Sequence, residues 1–299
     1  MNGSPSPDPA QAALREHDAR ERVVPPDARE RVVPPDARER VVPPDARERV
    51  VPSEAQELAG RLAQVRARID AAARSAGRDP DSVRLLAVSK TFDADLVLAL
   101  AELGQRAFGE NYVQEAVAKM DACRDRRPEA GLEWHFIGPI QSNKTRSIAE
   151  RFDWVHSIDR AKIATRLGEQ RPETLQPLDC CVQVNVSGEA SKSGCAPEDA
   201  PAVARAIAAQ PRLRLRGVMA IPEPTEDLAL QRMRFAAARA VLQGLRDELA
   251  GDHPEVIDNL GTLSMGMSAD LESAVAEGAT IVRIGSALFG HRPQKVVGQ

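Results

Sequence analysis

Leu85-Leu86-Ala87-Val88-Ser89-Lys90-Thr91 opens as a short, wholly apolar run of strand length and turns polar at a serine and a lysine. A strand without polar alternation belongs in a sheet covered on both faces, as parallel sheets are. Upstream, Ser53-x-x-Gln56 resembles a helix-capping box, and Leu58, Leu62, Val65, Ile69, Ala72 and Ala76 follow at helical spacing, which predicts a first helix. Downstream the same texture recurs in Ala107–Phe108, Trp134–Ile137, Trp154–Ile158, Cys180–Val186, Leu213–Ile221, Val256–Leu263 and Ile281–Ile284. Helical stretches separate these runs. One, opened by Pro224-Thr225-Glu226-Asp227, sets Leu228, Phe235, Leu242 and Leu249 on one face. Eight β-then-α units in about 250 residues predict an α/β protein, a single (β/α)8 TIM-type barrel over 53–299. A doubly wound open sheet is the alternative.

The segment before it reads differently. From Asp18 to Pro52 the unit D-A-R-E-R-V-V-P-P runs four times, the last copy ending Val50-Val51-Pro52. Two acids, two arginines and a closing pair of prolines leave only two strong hydrophobes per unit, too few to bury a core. Residues 1–52 are therefore expected to form a disordered, low-complexity tail. Forty Lys and Arg against 44 Asp and Glu give a net charge of −4, which argues against a nucleic-acid binder. With neither a long apolar span nor a basic-then-apolar leader, the sequence predicts a soluble cytoplasmic protein away from membranes. Cys123, Cys180, Cys181 and Cys195 lack C-x-x-C spacing, so reduced thiols are expected rather than disulfides or a zinc ribbon. His135, His156, His253 and His291 fall on unrelated segments, and no metal is expected.

In a barrel of this kind, chemistry gathers where strands end and the following loops begin. Lys90 follows a buried run directly. Partial desolvation at a barrel mouth favours a neutral amine able to attack a carbonyl, although a lysine there can also simply reach solvent. Gly285-Ser286, after the last strand and before a short helix, offers backbone N–H groups to a phosphate, with tight-turn geometry the competing reading. Ser268-Ala269-Asp270-Leu271-Glu272 carries two acids that are expected to repel an anion, whereas Ser264-Met265-Gly266-Met267 before it is acid-free. Asn111 and His135 are further polar residues in apolar settings, His135 reading more readily as a hydrogen-bonded structural histidine. Lys144, Arg146, Lys162 and Lys192 read as solvated surface.

Taken together, LLAVSKT, FGENYVQEA, WHFIGPIQSNK, VNVSGEASKSG, GVMAIP and LSMGMSADLESAVAEGATIVRIGSALFG resemble the YggS/PROSC family of pyridoxal phosphate homeostasis proteins. The resemblance runs from about Glu57 to Gly290. It implies the barrel shared with the N-terminal domain of alanine racemase, and Lys90 as the residue forming an imine with pyridoxal 5′-phosphate. It further implies that Ser264, Met265, Gly285 and Ser286 hold the phosphate, Arg283 faces the pyridine nitrogen, and Asn111 lies near the ring, with His135 a looser assignment. A racemase needs a second proton-transfer group, commonly a tyrosine, and a further β-rich domain; the chain holds one tyrosine, Tyr112. The expectation is therefore a non-catalytic carrier that serves apo pyridoxal phosphate enzymes, monomeric as the resemblance implies, against an amino-acid racemase or a Schiff-base aldolase as alternatives.

Overall fold

The computed structural model describes residues 52–188 and 193–290. The expected disorder of 1–52 therefore falls, except for Pro52, outside the described residues, as do Lys192 and His291. Eight parallel strands close into a barrel in chain order, each paired with the next and the last with the first. They are β1 (Arg84–Val88), β2 (Ala107–Glu110), β3 (Glu133–Phe136), β4 (Trp154–Ile158), β5 (Leu178–Val184), β6 (Leu213–Ala220), β7 (Thr262–Ser264) and β8 (Ile281–Ile284). Around them lie α1 (Pro52–Ser75), α2 (Ala94–Glu102), α3 (Val113–Arg126), α4 (Thr145–Arg151), α5 (Ala161–Gln170) and α6 (Ala200–Ala208). The ring is completed by α7 (Leu228–Asp252), α8 (Pro254–Ile257), α9 (Leu271–Ala276) and α10 (Ser286–Phe289). The open-sheet alternative is excluded by the β1–β8 pairing, which sets Leu86 beside Arg283.

Strand residues alternate between two apolar layers. Ala87, Val155, Val182 and Val282 pack outward against the helices, while Leu86, Trp154, Cys181, Met219 and Ile281 fill the barrel interior. This period of two explains why the strands read as continuous hydrophobic runs: both faces are buried. Leu58, Leu62, Val65, Ile69 and Ala72 are buried on α1 as their spacing predicts, and all four cysteines are free and buried.

Two expectations need correction. Residues Val256–Leu263 do not form one strand, because Pro254 starts the short helix α8 and only Thr262–Ser264 joins the sheet. Asp227 does cap α7, accepting from the Ala229 and Leu230 amides at 2.9 and 3.1 Å, and Phe235, Leu242 and Leu249 are buried. Leu228, however, is 67% exposed, since at the first helical position it precedes the part of the helix that rests on the barrel.

One glycine is obligatory for closure. A Cβ on Gly217 would stand 1.9 Å from the Thr262 carbonyl oxygen, so β6 and β7 approach here only because the side chain is missing.

Candidate functional site

At the carboxyl ends of the strands a cavity of about 360 Å³ opens, a volume ordinary for a small-molecule site. Lys90, following β1, and Asn111, following β2, lie on its wall. Arg283 of β8 and the Gly285-Ser286 turn lie there too. Val88, Phe92, Ile137 and Ile221 supply apolar surface, and Phe92 stacks on Phe289 with ring centroids 4.7 Å apart, which ties the Lys90 turn to α10.

Five of the eight predicted site residues thus share the cavity; Ser264, Met265 and His135 do not line it. Ser264 and His135 are completely buried in the barrel interior, and Met265 points into the layer beneath the helices. What Ser264 and His135 do instead is connect. Arg283 donates to Ser264 Oγ at 2.9 Å and to the Ala220 carbonyl at 2.9 Å. Ser264 Oγ lies 2.7 Å from His156 Nδ1, His156 Nε2 lies 2.8 Å from His135 Nδ1, and His135 Nε2 lies 2.7 Å from Glu133 Oε1. Arg84 pairs with both oxygens of Glu133, at 2.9 and 2.8 Å.

One proton arrangement satisfies this chain. The Glu133 carboxyl is pushed up by burial, yet His135 and Arg84 outweigh that and hold it down at about 2, so it is an acceptor and His135 carries its proton on Nε2. His135 Nδ1 must then accept from His156 Nε2, and His156 Nδ1 from the Ser264 hydroxyl; Arg283, which can only donate, completes the sequence. Both histidines are neutral in this arrangement. Burial lowers both, overriding Glu133 at His135, and for His156 it is reinforced by the positive potential of its neighbours. Burial brings the Arg283 guanidinium down to about 10, which leaves it protonated at neutral pH.

The segment after β7 departs from its sequence reading. Ser268 and Ala269 line the cavity, because neither nearby acid faces it as expected: Asp270 Oδ1 accepts from the Met267 amide at 2.6 Å, and Glu272 turns outward to Arg68. Among the described residues the amides of Ser268, Ala269, Ser286 and Ala287 have no hydrogen-bond acceptor, so two segments present unpaired N–H groups at the mouth. Lys144, Arg146 and Lys162 are not part of the wall. Met267 of the acid-free loop lies on the wall; the wall residues missed by sequence reasoning, Phe92, Ile137 and Ile221, are ordinary hydrophobes, and for Ile137 and Ile221 their place at strand ends was the available signal.

The profile of the alanine racemase N-terminal domain matches residues 61–293. A Pseudomonas aeruginosa protein named pyridoxal phosphate homeostasis protein is 59% identical over 237 residues, covering 79% of this chain and 96% of that one. Its namesake in Escherichia coli is 50% identical over 236 residues, 79% of this chain and 97% of its own. The chain belongs to the pyridoxal phosphate homeostasis protein family. Among solved structures of similar fold, PipY of Synechococcus elongatus with pyridoxal phosphate bound is 37% identical, with a TM-score of 0.65, covering 78% of this chain and all (100%) of that one. An alanine racemase from Corynebacterium glutamicum, at 18% identity and a TM-score of 0.54, shares the fold.

Asn111 is held in place from behind. A Cβ on Gly138 would stand 2.3 Å from the Asn111 carbonyl oxygen and 2.7 Å from its Cα, so the loop after β3 crosses that backbone at a distance only glycine permits. Gly138→Ala is expected to displace Asn111 and weaken binding of the family's ligand about tenfold, roughly 1.4 kcal/mol, while the barrel stays folded. Calorimetric titration beside a far-ultraviolet melt checks this; unchanged affinity in a folded variant contradicts it.

Proposed function

We propose that this chain binds pyridoxal 5′-phosphate covalently through Lys90 and acts as a monomeric cytoplasmic carrier that limits the free aldehyde and passes it to apo enzymes, without catalysing a reaction of its own. The observation that carries the reading is the meeting, in one cavity, of an amine, a buried guanidinium and two segments of unpaired backbone amides. The donor set fits the ligand: the amides of Ser268, Ala269, Ser286 and Ala287 suit a phosphate, and Lys90 suits an aldehyde. Asn111 adds a side-chain oxygen, Oδ1, that is buried without a hydrogen-bond partner among the described residues, an acceptor for a ligand donor to satisfy.

Capture is balanced without a co-reactant. The Lys90 nitrogen adds to the aldehyde carbon and one water leaves; return of that water frees ligand and lysine. Pyridoxal phosphate otherwise supplies an electron sink, but its strength depends on protonation of the ring nitrogen. Arg283, donating to Ser264 and the Ala220 carbonyl, would face that nitrogen as a further donor and leave it unprotonated, which would weaken the sink. Lys90 and Arg283 are the only titratable side chains on the described cavity wall. Tyr112 stands outside it, 57% exposed at the start of α3. Both facts favour a carrier over a racemase.

The test is titration of the purified protein with pyridoxal phosphate, followed by borohydride reduction and peptide mass mapping. A visible absorption band that disappears on reduction, with the mass increment on the Lys90 peptide, is expected. A Schiff-base aldolase would show no such colour, and exchange of the alanine or serine α-proton with heavy water would return the racemase reading.

A further inference from the structure

Thr91 is the one residue other than glycine with a positive φ among the described residues, at +71°. For a β-branched side chain this is a strained conformation that persists only where surrounding contacts over-determine it. It directly follows Lys90, and the contacts that determine it come from the Phe108-Gly109-Glu110-Asn111-Tyr112-Val113-Gln114-Glu115 string and Lys119, of which only Asn111 has so far been given a part in the function.

Both peptide groups flanking Lys90 are gripped. The carbonyl of Ser89, which belongs to the peptide before Lys90, accepts from Lys119 Nζ at 2.7 Å. The amide of Thr91, which belongs to the peptide after Lys90, donates to Glu115 Oε1 at 2.5 Å. Lys119 also donates to Glu110 Oε1 at 2.6 Å and Glu115 Oε1 at 3.3 Å, so its three N–H groups have three acceptors. Ser89 adds two more ties: its hydroxyl donates to Glu110 Oε1 at 2.6 Å, and its amide to the Gly109 carbonyl at 3.0 Å. The Lys119 side chain is 4% exposed and that of Glu110 fully buried, so the pair is shielded from salt and water.

We propose that Glu110, Glu115 and Lys119 are positioning residues for Lys90: a charged clamp that holds the Ser89–Thr91 turn in its strained form and thereby aims the amine into the cavity. A buried ion pair is a costly way to stabilise a fold, since apolar residues of similar volume commonly do as well. Its use here is directional, because it fixes the two peptide planes that decide where the Lys90 side chain leaves the backbone. This inference rests on Lys90 being the attachment residue.

The test uses the full chain and pyridoxal phosphate, following growth of the visible band by stopped flow. Glu110→Gln combined with Lys119→Met removes both buried charges together and keeps the volume. The folded double variant is expected to form the adduct at least tenfold more slowly. Adding Thr91→Asn, whose side chain tolerates positive φ, is expected to recover at least threefold of that loss, a rescue that a purely structural ion pair would not give. Glu115→Gln, at a partly exposed position where folding is not at stake, is expected to slow the reaction about threefold by itself. A wild-type rate in either Glu115→Gln or the folded double variant overturns the clamp, as does failure of Thr91→Asn to restore any rate. If instead the wild-type adduct maps to a peptide without Lys90, the attachment reading itself has failed.

Discussion

Lys90→Ala is expected to abolish the borohydride-reducible adduct and to weaken retention of pyridoxal phosphate by about 100-fold or more, roughly 2.7 kcal/mol. On the proposed reading the amides around Ser268 and Ser286 and the Arg283 guanidinium would remain as anchors, none of them covalent. Lys90 sits half-buried at the cavity mouth rather than in the core, so its loss should leave the melting temperature nearly unchanged. Equilibrium dialysis and the absorption spectrum of the dialysed protein decide the matter. A variant that retains the same band after dialysis, with the adduct mapped to another lysine, would move the attachment elsewhere.

Acidification below pH 6.5 is expected to destabilise the barrel through its two buried histidines. His156 is held neutral far below its ordinary value of 6.5 by burial and positive neighbours, and His135 is lowered by burial as well. Once unfolded, both take up protons near pH 6.5. The unfolded chain therefore binds more protons than the native one beneath that pH, and stability rises with pH across the window and is lost as pH falls through it. A histidine that stays neutral in the native state costs about 1.4 kcal/mol for each pH unit below 6.5. Against the roughly 5–15 kcal/mol that holds a domain together, such a slope is readily measured. Urea melts at pH 7.5, 6.5, 5.5 and 4.5 measure the slope, and His156→Gln should flatten it by about half. A flat profile between pH 6.5 and 4.5 would mean that the histidines charge inside the folded protein.

Position along a strand decided how much of this was legible in advance. Lys90 and Gly285-Ser286 stand immediately beyond buried apolar runs, and that placement alone led to the mouth of the barrel. His135 lies inside β3 and Ser264 is the last residue of β7, where alternation turns both toward the barrel axis; a sequence motif marks them as notable but does not say whether they touch a ligand or a neighbour. The relay they build needs His156, which no local pattern distinguishes. Asp270 and Glu272 misled for a related reason, since charge counting along the chain does not register that each carboxylate is turned to a donor of its own. Val256–Leu263 reads as a strand only because Val256 and Ile257 are β-formers, although both belong to the short helix that Pro254 initiates. Lys119 and Glu110 are the hardest to find: nine residues apart, on a helix and a strand, they become a pair only after β2 and α3 pack together.

Every donor in the axial relay points the same way, from Arg283 through two imidazoles to a carboxylate on the opposite rim. The cylinder is thus electrically polarised along its length, with its cationic pole at Arg283 on the cavity wall and its anionic pole at Glu133, clasped there by Arg84. A surface arginine on the far side of the molecule thereby belongs to the ligand's electrostatic environment, and charge-neutralising changes at Arg84 should be felt in how tightly the vitamin is held at the other end.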